Sequence, residues 1–318
     1  MRTPRPTPLL LAALLASCGA PATGADVDAA PVPDATPRCQ ACSTWAPAEL
    51  VGTLDPSITE ASGLAASAVH DDLYYTMSDD PPPGRSGVVV WGVRADGGIE
   101  VEVHLLGTSV SNTEGLAVAP CEPGAATSCV WVGETGDNGT HPPHRIFRFA
   151  EPAFAPGGDP ELVLPEFATT TYTYPDGATP NAEAMVVDPA TSLVYVLSKR
   201  AMPSPVFRVP FVALDGDVGE SVAIDVGAIN LTTITAADPR PCRNELLVRQ
   251  YGALWHLTAP PPFENLFDPA QVTTTQVEAA SESIAEAVAW SRDGRDYLTT
   301  HEAVGAAVHR YACTDANP

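Results

Sequence analysis

The sequence predicts an all-β fold built from repeats, and three observations predict it. Helical periodicity is absent after residue 20, while apolar runs of four to eight residues recur between Gly, Pro and Asp turns. Proline is abundant at 33 residues and lysine plus arginine total only 16, a composition that suits strands and turns better than amphipathic helices. One pattern also returns along the chain. "NTEGLAVAP" (112–120), "NAEAMVVDP" (181–189) and "SIAEAVAWS" (283–291) share a shape, with weaker copies in "TEASGLAAS" (59–67) and "LTTITAADP" (231–239).

Aligned, the copies place Ser62, Glu114, Glu183, Thr233 and Glu286 at one position, spaced 52, 69, 50 and 53 residues apart. A second strand follows each copy: "DLYYTMSDD" (72–80), "CVWVGETGDN" (129–138), "LVYVLSKR" (193–200), "NELLVRQYG" (244–252) and "RDYLTTHE" (295–302). A third follows at 87–93, 144–150, 205–211, 253–259 and 306–312. Four units carry a fourth strand, at 99–106, 166–174, 220–226 and 271–279. The fifth unit ends with the chain, and "PAELVGTL" (47–54) can supply its missing strand. Four strands per unit of about fifty residues, closed by the N-terminal strand, specify a β-propeller. Closure also hides the sheet edges that an open stack would expose. Five blades are counted; a sixth remains open if the stretch between Glu134 and Glu183 hides one. Trp91, Trp131, Trp255 and Trp290 fall in strands and read as inter-blade core.

The N-terminus stands apart from this fold. Arg2 and Arg5 precede a short apolar run, Leu9 to Ala16, and then Leu15-Ala16-Ser17-Cys18. This is a lipobox, with residues 1–17 as signal peptide and Cys18 as the lipidated residue; the competing reading is an ordinary secretory signal cut near Ala20. Acyl chains on Cys18 would anchor the protein, and Gly19 rather than Asp after the cysteine favours the outer membrane of a Gram-negative bacterium. Residues 18–44, rich in Ala, Pro, Asp and Thr, read as a tether, and the propeller as 45–318. Cleavage removes Arg2 and Arg5 and no acid, so the net charge moves from −23 to −25. Such a chain repels nucleic acid and anionic head groups, leaving the lipid as its contact with the membrane. A monomer is expected.

Besides Cys18 there are six cysteines, an even number that suggests disulfides in an exported chain. Cys121 and Cys129 bracket one turn and are expected to pair. Cys242–Cys313 and Cys39–Cys42 are the weaker expectations, with a bridge from Cys39 or Cys42 to Cys313 as the rival.

Several segments carry a family resemblance: "ASGLAAS", "VWVGETGDN", "YTYPDGATPNAEAMVVDP", "LVYVLSKR" and "EAVAWSRDG". They resemble a family of bacterial secreted and lipoprotein β-propellers with no assigned reaction. Its second-blade motif reads D-I-G-D-N, where this chain has Glu134-Thr-Gly-Asp137-Asn138. More distantly, "SGL…LYYTMSDD" and "EGLAV" resemble the esterase-like phytase propellers. The resemblance spans residues 58 to 302; it implies the fold and no established reaction.

In a propeller the start of the first strand and the end of the second meet on one face. Glu114, Glu183 and Glu286 should therefore ring the channel mouth, with Glu60, Asp79, Asp80, Glu134, Asp137, Lys199, Arg200, Arg249, His301 and Glu302 nearby. Either the glutamates lock blade to blade through hydrogen bonds and ion pairs, or they bind a ligand together with Lys199, Arg249 and His301. Clustered carboxylates also suit calcium, which takes six to eight oxygens, and Asp79, Glu134 and Asp137 are the expected ligands. The expected function is a binding or scaffolding module for an unknown ligand or protein at the acidic mouth. The alternative is a calcium-dependent phosphoesterase like the phytase-type propellers. G-x-S-x-G, H-E-x-x-H and phosphate-loop motifs are absent. His141 and His144 flank a Pro-Pro loop and read as solvated.

Overall fold

The computed structural model describes residues 42–137, 144–154, 161–199, 201–210 and 218–315. Cys18, Cys39, the tether up to residue 41, Asn138, His141 and Arg200 lie outside them. The described residues form five antiparallel blades in a ring. The chain enters with β1 (Glu49–Thr53), then builds blade one from β2 (Ala61–Ala66), β3 (Leu73–Ser78), β4 (Val89–Arg94) and β5 (Ile99–Leu105). Blade two has β6 (Gly115–Pro120), β7 (Ser128–Glu134), β8 (His144–Ala150) and, after the short β9 (Glu161–Leu164), β10 (Ala168–Thr173). Blade three has β11 (Ala182–Val187), β12 (Val194–Ser198), β13 (Ser204–Val209) and, after β14 (Val218–Val222), β15 (Ile224–Ile229). Blade four is β16 (Ile234–Pro239), β17 (Glu245–Gln250), β18 (Ala253–Thr258) and β19 (Thr273–Val277). Blade five is β20 (Ala285–Trp290), β21 (Tyr297–His301) and β22 (Ala307–Tyr311), completed by β1, which pairs antiparallel with β22.

Two details differ from expectation. β9 adds parallel to β5, so the outer edge of blade one is covered. The run 220–226, expected as a single strand, divides at buried Ala223: β14 joins blade two parallel to β10, and β15 completes blade three. Both extra strands protect sheet edges that would otherwise offer unpaired backbone groups.

The strands form where apolar residues fill both faces. β2, β11, β16 and β20 are almost wholly buried and lie side by side with β6 as the inner ring. Small residues let them approach. A Cβ on Gly115 would sit 2.4 Å from Cβ of Met185, and one on Gly63 would sit 2.7 Å from Cβ of Leu116. Five separate hydrophobic clusters fill the five blade interfaces; Trp91, Trp131 and Trp290 each sit in one and Trp255 packs against another.

Closure is reinforced at the chain ends. Cys42 is disulfide-bonded to Cys313 across a separation of 271 residues, Trp45 bridges to Cys313, and Trp45 Nε1 donates to the Arg295 carbonyl at 2.7 Å. Cys121–Cys129 forms as expected. The expected Cys242–Cys313 and Cys39–Cys42 pairs are corrected, because the rival pairing of Cys42 with Cys313 takes a partner from each. Cys242 is also disulfide-bonded. The N-terminal segment enters alongside the last strand of blade five, which puts Cys42 next to Cys313.

Candidate functional site: an acidic mouth with one lysine

Backbone register explains how a glutamate comes to precede a buried strand. Between β11 and β12, Ala182 pairs with Ser198 and Ala184 with Leu197, leaving Glu183 as an extra residue in a bulge. Glu286 is the same extra residue in blade five and Thr235 in blade four, and in blade one Ser62 and Gly63 share the step. In blade two the Glu114 amide donates to the Gly133 carbonyl, and Gly115 also pairs with Gly133. Bulges re-aim a side chain out of the normal alternation. Here they occur at the same end of every inner strand. Thr235, not the expected Thr233, occupies the blade-four position.

Hydroxyls carry much of the blade-to-blade locking at this level. Thr113 donates to the Ser78 carbonyl at 2.7 Å, Thr135 to the Ala182 carbonyl at 2.8 Å and Thr235 to the Ala285 carbonyl at 2.7 Å. The glutamates make side-chain contacts instead. Glu114 accepts from Ser62 Oγ and from Asn112 Nδ2, both at 2.5 Å. Glu183 accepts from Asn181 Nδ2 at 3.0 Å and is ion-paired with Lys199. Lys199 Nζ also lies 3.5 Å from Glu286, which accepts from the Tyr251 hydroxyl at 3.1 Å. The ammonium sits 4.8 Å from the centre of the Tyr251 ring. Lys199 of blade three thus reaches past Tyr251 of blade four to a glutamate of blade five.

A second acidic group adjoins this one. Carboxylate oxygens of Glu60, Asp79 and Glu302 lie within 4.8 Å of one another. Burial pushes Glu302 up to about 7, reinforced by the charges of Glu286, Asp79 and Glu60. Asp79 is held at about 6 by burial and by Glu60 and Asp80, against the hydrogen bond from the Asp80 amide. Glu114 is raised well above the ordinary carboxylate range by burial and then by Glu183, Glu286 and Asp79. Glu183 and Glu286 are raised by burial despite the opposing effect of Lys199. For Lys199 itself burial disfavours the charge, but Glu183, Tyr251 and Glu286 outweigh it and its pKa rises.

The other expected site residues are placed elsewhere. Glu134 accepts from the Ser111 amide at 2.9 Å and from Arg145 at 2.6 Å, so its charge is matched. The Asp137 amide donates to Asn181 Oδ1 at 2.7 Å, at the blade two–three junction. Asp79, Glu134 and Asp137 do not form a group able to share one ion; Asp79 is grouped with Glu60 and Glu302 instead. Arg249 is fully buried and ion-paired with Glu282, in the wall between blades four and five, so it does not offset the mouth. His301, half-buried, ends β21 opposite Ala285, next to Glu302. His144 is buried against Tyr172 and Tyr174 rather than solvated. Tyr251 and Glu282 were not anticipated: Tyr251 is an aromatic at the hairpin turn that ends the blade-four segment 244–252, and Glu282 lies in the loop before β20, just ahead of the repeat at 283–291.

No family model and no curated protein matches the sequence. Among solved structures, a chain of the mitotic checkpoint complex is similar at 13% identity with a TM-score of 0.38, over 79% of this chain and 61% of that one. The chain thus spans about three-fifths of that structure's length. A gluconolactonase of Xanthomonas campestris is similar at 11% identity with a TM-score of 0.45, over 86% of this chain and 98% of that one.

Proposed function

We propose that the protein is an exported, lipid-anchored binding module whose acidic mouth takes a cation or a cationic ligand. One observation carries this reading: Glu60, Asp79, Glu114, Glu183, Glu286 and Glu302 influence one another at one end of the ring, and Lys199 is the one cation that pairs there among the described residues. Like charges held together in a partly desolvated place are relieved by protons or by a bound cation. Calcium fits the donor set at Glu60, Asp79 and Glu302, which is all carboxylate oxygen and half-buried, so an ion can reach it. The phosphoesterase alternative needs cations for an anionic substrate. Arg145 and Arg249 are committed to Glu134 and Glu282, which leaves it without support from the geometry.

Isothermal titration of calcium into the mature full chain tests the binding. One site is expected, lost in Asp79→Asn/Glu302→Gln; no heat above that variant's would remove calcium from the account. The anchor at Cys18 is tested by mass spectrometry of the mature N-terminus, and the outer-membrane location by separating inner and outer membranes and asking which holds the protein. A diacylated or triacylated Cys18 is expected, and an unmodified terminus at Ala20 or beyond would contradict it.

A further inference from the structure

We propose that Glu183, Glu286 and Tyr251 form a binding site for a primary alkylammonium ion, and that Lys199 is its built-in occupant, which a free small amine displaces. The proposal rests on the reading of the mouth as a cation site and names the cation's chemistry.

The occupant itself shows what the cage accepts. The Lys199 ammonium meets carboxylates from blades three and five and the face of an aromatic ring from blade four. Its side chain is only 12% exposed. An ammonium has three N–H donors, and this cage offers two anionic acceptors and a ring face. A ring face attracts an organic cation but gives a metal ion no oxygen to bind. The cage is therefore built for an ammonium head, whereas the neighbouring Glu60–Asp79–Glu302 group offers only oxygen.

Displacement is also physically accessible. Lys199 lies just beyond the end of β12 on a flexible four-carbon stem, so its head can move without breaking a strand. It has somewhere to go. Glu302 already feels the Lys199 charge, and neither it nor Asp79 has a cation of its own among the described residues. Two carboxylates against one ammonium leave the cage net negative, so an incoming cation is attracted while Lys199 relaxes toward the second acidic group.

The probe is n-propylammonium, which carries the atoms that Lys199→Ala deletes beyond Cβ. Its affinity is measured calorimetrically at constant ionic strength on the mature full chain. The proteins are wild type, Lys199→Ala, Lys199→Gln and Lys199→Ala/Glu286→Gln, with tetramethylammonium as a control that lacks N–H groups. Wild type is expected to bind weakly and Lys199→Ala about tenfold or more tighter. Lys199→Gln, which keeps the first half of the stem and removes the charge, should fall between them. Adding Glu286→Gln should cancel the gain, and tetramethylammonium should bind Lys199→Ala less well than n-propylammonium. Equal affinity for wild type and both lysine variants would overturn the proposal. So would binding to Lys199→Ala with none to wild type, since Lys199 would then be a permanent structural group. Calcium titration of the same wild-type sample separates the two ideas. Calcium binding without amine binding keeps the acidic mouth and removes the cage; amine binding without calcium does the reverse for the metal.

Discussion

Two sets of glutamates in this propeller are treated differently. In the wall of blades four and five, Glu245 accepts from Arg240 at 2.5 Å and contacts His256 at 3.0 Å, while Glu282 pairs with Arg249 and contacts His309 at 2.7 Å. Each has its own arginine and histidine. At the mouth, Glu183 and Glu286 share one lysine, and the donors to Glu114 among the described residues are neutral, Ser62 and Asn112. The consequences are opposite in sign. Burial opposes ionisation of Glu245, but His256 and Arg240 overcome it and hold the group at about 2; at the mouth burial wins and Glu302 rises to about 7. A carboxylate that serves structure brings its cation with it. Among the described residues, those at the mouth are short of cations, which is why the mouth is the place to look for a ligand.

The largest expected effect breaks the wall. Arg249→Met should leave Glu282 buried without its guanidinium and cost about 3–5 kcal/mol in denaturant unfolding. Lys199→Met at the mouth should cost less, about 1–3 kcal/mol, because burial raises Glu183 and Glu286 and they can take up protons once the ammonium is gone. If the mouth lysine proved as costly as the wall arginine, the contrast would fail. Glu302→Gln should go the other way and stabilise at pH 7.5 by about 0.2–1 kcal/mol, the scale of half-exposed charges, read from the same unfolding curves.

The pH dependence sharpens the comparison. Glu302 and Asp79 have folded values near 7 and 6, above their ordinary 4.5 and 3.8, so between about pH 4 and 7 the folded state holds more protons than the unfolded. Their contribution therefore falls as pH rises through that window, and Asp79→Asn/Glu302→Gln should flatten the fall. Glu245 is depressed from 4.5 to about 2, so its contribution is present above about 4.5 and disappears as pH drops toward 2. With these three groups the opposing slopes cancel near about pH 4, so thermal midpoints from pH 2 to 8 should peak there and fall toward neutral pH.

Much of this architecture was legible because the repeat fixes strand order, and strand order fixes which ends meet. The inner glutamates were found for that reason. What repeats do not encode is the direction of one side chain. Arg249 and Lys199 both end second strands and look equivalent in sequence. Arg249 lies within β17, opposite Ala236, and its place in the pleat turns it between blades. Lys199 lies just past β12 and is free to reach over the axis. The threonine of blade four was misplaced by two residues because Pro239 is the last residue of β16 whereas Pro189 lies two residues past β11, so counting back from the proline overshoots Thr235. The run 220–226 carries β-forming residues throughout, so nothing in it marks Ala223 as the point where the chain changes blades.

Site-resolved titration of the side-chain carboxyls by carbon NMR tests the central claim most directly, with Glu302→Gln, Asp79→Asn and Glu245→Gln supplying the assignments. The account predicts midpoints near 7 for Glu302 and near 6 for Asp79, and near 2 for Glu245. Mouth carboxyls that titrated in the ordinary range of about 4 to 4.5 would show that their charges are compensated after all, and would contradict it.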